Sequence, residues 1–581
     1  MTAEAVPAPP RDPARAEIVY RVVTDRFENG DPANDRGGIA GGRLDHGFDP
    51  RRAHFYHGGD LAGVRERLPY VAGLGASAVL LTPVFGALPV AGPPGAETAS
   101  FHGEWLVDLT RIDPHLGDMA DLRALTDAAR DRGMRVYVDV VLNGTADLFA
   151  YEGCAARACG YRSEAAFPYA TRGDAFGEVV NPGFGAEGAS ADFRALTDPR
   201  WAYRPVPPRS DPRAPAWLRD PVHYHQRGAV GPGAEAMRNG DLPGQDDLLT
   251  EHPVVGGGLI DAHARLIEEG GVDGFRVRDA RHVNPGFLAA FADAMRRRTA
   301  LAGRPFEVWG EAGTAEAGAL AHFSHEGGLA LPEDAAFEAA AQRFLAGRGA
   351  GALAEVFRAD ALYEGGETAA LGLPTRVSSL AAGRLARAVR RGFPGAGPDE
   401  TLERVRLGAV LLLTARGVPV LYMGDEQGFG GEGDASAQDM MPSAASAYTG
   451  ARLLGTEATA AASNFDMDHP YYRFVARLAG LRRREAALSR GAHVTRAARD
   501  EGDVYAFSRV LDLGSQGTEI LVVLNASDER RDLFVPVDPR SDGFDALSGY
   551  CASGAAARAS YPVSVPPRGF VICKSDWGRA E

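Results

Sequence analysis

The sequence predicts an α/β protein built on a parallel sheet of the β/α-barrel kind, followed by a small antiparallel β-domain. Three observations carry this expectation. An amphipathic helix, a glycine-rich turn and a buried strand recur in that order along most of the chain. One loop-heavy stretch, 145–255, breaks that rhythm. After about residue 482 the helical pattern gives way to alternating apolar and polar residues between turns.

The first unit is "AEIVYRVVTDRFENGDPANDRGG", a strand over 18–23 that ends in polar loop residues. "DLAGVRERLPYVAGLGASAVLLTPVF" gives helix, turn and a strand over 76–81. "DMADLRALTDAARDRGMRVYVDVVLNG" repeats the unit with a strand over 135–141. "GLIDAHARLIEEGGVDGFRVRD", "PGFLAAFADAMRRRTALAGRPFEVWGE" and "LERVRLGAVLLLTARGVPVLYMGDEQG" continue it. Asp25, Asn143, Arg278, Glu311 and Asp425 stand at or just after strand ends. In a β/α barrel those ends carry the chemistry. The expected organisation is barrel over 1–144, insert over 145–255, barrel again over 256–481, and a C-terminal β-sandwich over 482–581.

The bulk numbers exclude some functions. The chain has 581 residues, 45% apolar and 24% charged, as in an ordinary folded protein. A net charge of −15 argues against nucleic acid as a main partner. "MTAEAVPAPPRDPARAE" lacks the apolar run of a signal peptide. "GAVLLLTARGVPVLY" is interrupted by Arg416 and too short to span a bilayer. The chain as written therefore reads as cytoplasmic with no membrane partner, or as secreted with a leader removed. The four cysteines form two local sets, Cys154 with Cys159 and Cys551 with Cys573. Two disulfides and four free thiols both remain open at this stage. The C-x4-C spacing alone is no zinc signature.

"VTDRFENGDPANDRGG", "RIDPHLGDMADLRALTDAA", "GVPVLYMGDEQGF" and the strand motif "GFRVRDARH" together resemble the α-amylase family, glycoside hydrolase family 13. The resemblance runs from about Glu17 into the C-terminal strands. It implies a (β/α)8 TIM barrel, a domain inserted after strand 3, a C-terminal antiparallel β-domain, and retaining action on α-glucosidic bonds. It also implies one or two structural calcium ions. The first would be held by Asn143, Asp247 and the His282 carbonyl. The second would be held by Asn29, Asp31, Asn34, Asp35, the Gly58 carbonyl and Asp60. Clustered oxygen donors between tight turns suit a hard cation.

At the catalytic positions the sequence departs from the family. The strand-4 motif has Asp as nucleophile where this chain has Arg278; Arg276 is retained, and Glu311 keeps the acid/base position. The Asn-His that ends strand 3 in the family is Asn143-Gly144 here. The Tyr-His-Gly-Tyr-Trp loop reads Phe101-His102-Gly103-Glu104-Trp105, so Glu104 replaces an aromatic platform. The final Asn-His-Asp reads Ser379-Leu380-Ala381, anchored by Gly383 and Arg384, so Ala381 replaces the transition-state carboxylate.

A retaining glycosidase needs two carboxyl groups about 5–5.5 Å apart. Arginine stays protonated and offers no nucleophilic lone pair. A second arginine beside Arg276 would also hold the Glu311 carboxyl too low for a proton donor. Asp279 is the one shifted carboxylate within reach, but strand alternation points it to the other face unless a bulge intervenes. Glu104, Asp139 and Asp425 are the remaining carboxylate candidates in a remodelled pocket.

The expectation is a calcium-bearing, amylase-like protein that binds a maltooligosaccharide or related glycan and has lost the retaining mechanism, a pseudoenzyme. The alternative is an active α-glucan hydrolase or glucanotransferase using Glu311 with an unconventional second carboxylate. His102, Glu104, Trp105, Arg281 and His282 are the expected substrate contacts. Arg276, Arg278 and Arg281 in one motif suit an anionic sugar; a protein partner is a further option. Tyr151, Tyr161, Tyr169, Trp201, Trp217 and Tyr224 would either stack on sugar rings or fill the insert.

Overall fold

In the computed structural model, the described residues are 17–154, 159–167, 202–300, 305–329, 331–431, 437–450, 452–500, 503–552 and 559–578. Short β-branched and aliphatic runs form the parallel strands β1 (Val19–Val22), β2 (Ala78–Leu81), β3 (Arg135–Val140), β4 (Gly274–Val277), β5 (Glu307–Gly310), β6 (Pro374–Thr375) and β7 (Val418–Tyr422). Their spatial order is β5-β4-β3-β2-β1-β7-β6. The ring closes through segment 332–334, which contributes single parallel bridges, Gly310 with Pro332 and Asp334 with Thr375. That segment is the eighth position of the barrel, reduced to isolated pairings.

Alternation along the strands sorts the side chains. Val19, Ala78, Leu80, Tyr137, Trp309, Val418 and Val420 pack together as an apolar layer inside the ring. Tyr20, Val22, Val79, Leu81, Val136 and Val138 belong to the larger core under the surrounding helices. Several of those helices begin at a side-chain cap. Met119–Arg130, for example, starts at Asp118, whose carboxylate accepts from the Ala120 and Asp121 amides.

The insert returns to the barrel through a two-stranded ladder, Gly144–Ala146 with Gln245–Asp247. Its described aromatics are committed internally. Tyr151 stacks on Tyr203 and donates to Asp241, Tyr161 donates to Glu235, and Tyr224 is buried with its hydroxyl on the Leu218 carbonyl. Trp217 packs partly buried against the core. These groups fill the insert; Tyr169 and Trp201 lie outside the described residues.

The C-terminal region forms strands β8 (Ala492–Arg499), β9 (Val504–Asp512), β10 (Gly517–Asn525), β11 (Arg531–Pro536), β12 (Asp545–Ser548), β13 (Ser560–Val565) and β14 (Gly569–Trp577). One antiparallel sheet has the order β8-β9-β10-β14-β12; β11 and β13 form a second. Both faces of β9 and β10 are buried. Val504, Ala506, Leu521 and Val523 pack toward the second sheet, whereas Tyr505, Phe507, Ile520 and Val522 join the barrel core. Disulfides link Cys154 to Cys159 and Cys551 to Cys573. Among the described residues no helix is long and apolar enough to cross a membrane.

One buried acid stands apart from any cation. Glu426 accepts from the hydroxyls of Tyr20 (2.7 Å) and Tyr70 (2.6 Å). Burial pushes its carboxyl up to about 7. A raised folded-state pKa contributes stability that is fully present below the unfolded value and is lost as pH rises through the folded value. Glu426→Gln is therefore expected to remove a loss of stability between about pH 4.5 and 7, of up to about 3 kcal/mol. Urea melts of both proteins across that range check this; parallel pH profiles would refute it.

Candidate functional site: the barrel mouth

The strand register builds the site. Arg276 lies opposite Asp139 on β3 and Trp309 on β5. Alternation puts Arg21, Asp139 and Arg276 inside the ring, one layer above the apolar packing, and Arg278 and Glu311 one layer higher at the strand ends.

Arg276 is fully buried and touches three carboxylates. Its Nη1 donates to Asp139 (3.1 Å), its Nη2 to Glu333 (2.7 Å), and its Nη2 also meets Glu311. Asp139 is held in turn by Arg21 at 2.8 Å. Arg376 pairs with Glu333 and reaches Glu338 at 2.8 Å. Arg278 completes the set by bridging Glu104 (2.7 Å) and Glu311 (3.1 Å).

Burial alone would raise the Glu311 and Glu333 carboxyls, but the neighbouring arginines outweigh it. Glu311 lies well below the usual carboxylate range under Arg276 and Arg278. Glu333 is drawn down to about 2 by Arg276 and Arg376. Both are ionised at neutral pH. Asp279 moves the other way: burial raises it, with Arg278 opposing.

Asp279 lies beyond the strand on which the expectation from alternation rested. β4 ends at Val277, and Asp279 takes a left-handed conformation (φ 48°) before the turn Ala280–His282. Beyond the strand end alternation no longer governs direction. Asp279 lines the same cavity of about 450 Å³ as Arg278, Glu311, Glu333, Glu338, Arg376 and Ala381.

The Gly144 position is rebuilt rather than vacant. A Cβ there would stand 2.9 Å from the Gln245 Oε1, so the returning strand fills the space beside it. Gln245 also reaches the Glu104 carbonyl at 3.4 Å. Ala381 carries no polar group to the cavity it lines, and Leu380 packs on the core. Arg384 is buried, donates to Asp425 at 2.8 Å, and lies over Tyr422 and Phe429.

The comparisons with known proteins agree with this geometry. A family profile described as the catalytic domain of alpha amylase matches residues 21–297. An alpha-amylase of Streptomyces lividans is 34% identical over 593 residues, covering 99% of this chain. The chain is thus similar to α-amylases over the barrel and along most of its own length. It spans 63% of the Streptomyces protein and 33% of a beta/alpha-amylase of Paenibacillus polymyxa that is 25% identical over 88% of this chain. The fold matches a crystal structure of an Anoxybacillus alpha-amylase (TM-score 0.68, 21% identity, 98% of this chain and 99% of that one). It also matches a three-domain cyclomaltodextrin glucanotransferase (TM-score 0.69, 21% identity, 96% and 99%).

Of the expected ion ligands, Asn29, Asp31, Asn34, Asp35 and Asp60 lie in one hydrogen-bonded group. Asp60 accepts from the Gly30, Asp31 and Gly63 amides and from the Asn34 amide, while Asn29 donates to Asp35 at 2.8 Å. The Oδ1 atoms of Asn29 and Asn34 are buried without a hydrogen-bond partner. Gly58 (φ 95°) closes over them; a Cβ there would meet Asp35 Oδ1 at 2.6 Å. At the other expected site the Oδ1 atoms of Asn143 and Asp247 are likewise buried and unpaired. The second Asp247 oxygen contacts His225 at 2.6 Å, and the His282 ring contacts the Met237 carbonyl. Among the described residues no three His, Cys, Asp or Glu side chains converge as a metal cluster.

Of the expected substrate contacts, His102 and Glu104 stand beside Arg278, with the His102 ring edge-on to Trp105. Arg281 instead donates to the Gly313 carbonyl and touches His282. Sequence reasoning missed Arg21, Gln245, Glu333, Glu338 and Arg376. Glu333 and Arg376 follow pairings of one or two residues, too short to leave an apolar run.

Removing Arg276 would leave Asp139, Glu311 and Glu333 facing one another in the interior. Arg276→Ala is expected to destabilise the protein by about 3–5 kcal/mol. Arg278→Ala, at the half-buried rim, is expected to be far milder. Chemical denaturation of both variants tests the ranking; equal effects would refute it.

Proposed function

We propose that this chain is a carbohydrate-binding member of the α-amylase superfamily that has lost the retaining glycosidase mechanism. The observation that carries this reading is the Arg278 guanidinium. It occupies the position where the resemblance expects the nucleophile, and it bridges Glu104 and Glu311. A cation there repels a developing oxocarbenium ion. Glu311, kept ionised by two arginines, has no proton to give a leaving group. Ala381 offers no carboxylate to the transition state. The ligand we favour is a neutral maltooligosaccharide or related α-glucan. An anionic sugar is disfavoured because Arg276, Arg278 and Arg376 already rest on carboxylates.

One observation favours the second reading, an active hydrolase or glucanotransferase: Asp279 shares the cavity with Glu311. Maltooligosaccharide turnover by the wild type, Glu311→Gln and Asp279→Asn separates the two. We expect no turnover above blank in any of them, with binding retained by calorimetry. Wild-type turnover lost in either variant would overturn the proposal.

The buried, unpaired amide oxygens of Asn29, Asn34 and Asn143 support one or two structural calcium ions, held with Asp31, Asp35, Asp60, Gly58, Asp247 and His282. A bound ion would tie loop to barrel and supply charge compensation. We expect equilibrium dialysis to find bound calcium, a chelator to lower the melting temperature by several degrees, and Asn34→Ala to lose one equivalent. Unchanged melting and no bound calcium would reject the site. The two disulfides favour maturation in an oxidising, extracytoplasmic compartment.

A further inference from the structure

The cavity at the barrel mouth has a neighbour. Its walls Ala315 and Ala339 are also walls of a second hollow, about 680 Å³, running outward between helices Ala317–Glu326, Ala335–Leu345 and Gly351–Arg358. The two halves differ in chemistry. The inner half presents Arg278, Asp279, Glu311, Glu338, Gln342 and Arg376. The outer half is floored by Ala336, Ala340, Ala352 and Ala359, with Val356 and Leu362 beside them.

The charged groups of the outer hollow are mostly spent. Glu316 caps helix Ala317–Glu326 through the Gly318 and Ala319 amides, and Glu355 pairs with Arg358. Among the described residues no aromatic ring, hydroxyl or side-chain amide lines it, and its polar groups are Glu316, Arg343, Glu355 and Arg358 at the edges of the alanine floor. A sugar chain would find no stacking platform there. Leu362 is 56% exposed, a large apolar group left in water beside an apolar trough. A continuous apolar surface of this kind marks a binding site rather than an ordinary solvent face.

We infer that the mouth and the trough together take one amphiphilic ligand, a glycoside whose sugar sits among the charged groups and whose apolar aglycone, an alkyl or acyl chain, lies along the alanine floor. The polarity change between the two adjoining hollows is what selects this occupant: polar head at the mouth, apolar tail along the alanine floor. The inference rests on the carbohydrate-binding reading above and adds the class of aglycone.

Calorimetry with maltose, methyl maltoside and octyl maltoside below its micellar concentration tests it on the intact protein. Octyl maltoside is expected to bind at least about tenfold more tightly than methyl maltoside, the gain from burying as few as two methylene groups. Ala352→Trp, which fills the trough away from the mouth, should erase that gain and leave maltose affinity unchanged. Leu362→Asp should do the same by making the rim polar, and serves if the first variant misfolds. Equal affinity for the methyl and octyl glycosides overturns this inference while leaving the carbohydrate-binding reading intact. Octyl binding that survives both substitutions also overturns it. Absence of binding by all three sugars rejects both readings.

Discussion

The barrel mouth depends on the Arg276 guanidinium. A cation with no exposure to solvent must be matched by anions within hydrogen-bond reach. Asp139, Glu311 and Glu333 supply them from three successive places around the ring. This requirement fixes relative heights as well as charges. β3, β4, β5 and segment 332–334 must stand at one register for the three carboxylates to meet one planar group. Segment 332–334 contributes only isolated bridges to the ring, so its Glu333 ion pairs help hold it in place. The geometry that orients Glu311 also removes its proton.

The departures from the family pattern compensate one another. Arg278 places a second cation directly above the first, where the low-dielectric surroundings magnify its repulsion from Arg276. Glu104 neutralises it: the residue in the aromatic's place is the residue on which the arginine rests. The space beside Gly144 is closed by Gln245, which in turn reaches the Glu104 backbone. Around the mouth four arginines, Arg21, Arg276, Arg278 and Arg376, interlock with five carboxylates, namely Asp139, Glu104, Glu311, Glu333 and Glu338.

Legibility in the sequence followed physical rules. β1 to β5 and β7 were readable because each is an apolar run after a glycine turn. Arg276 and Arg278 were readable as groups on one face because alternation holds within a strand. For Asp279 alternation gave no guide, because it ends with the strand at Val277 and nothing local announces the left-handed residue that follows. Glu333 and Arg376 carried no signal, since their backbone pairs over one or two residues and their roles arise only when distant strands meet. Glu338 lies in a helix where its spacing reads as an ordinary polar position.

On the proposed reading, the same interlocking sets how far this chain stands from glycosidase chemistry. Arg278→Asp alone would not recreate a retaining pair. It would remove the cation that neutralises Glu104 and add a third carboxylate beside Glu104 and Glu311, leaving Arg276 to balance charges it already shares with Asp139 and Glu333. Like charges crowded at low dielectric do not all stay ionised. One would take up a proton, and nothing in the arrangement directs that proton to Glu311, which lies closest to Arg276. The transition-state carboxylate would still be missing at Ala381, and Gln245 would still fill the space beside Gly144. On the proposed reading, hydrolysis would need changes at Ala381 and at two interdependent sets, Glu104 with Arg278 and Gly144 with Gln245, because within each set one residue rests on or fills the space of the other.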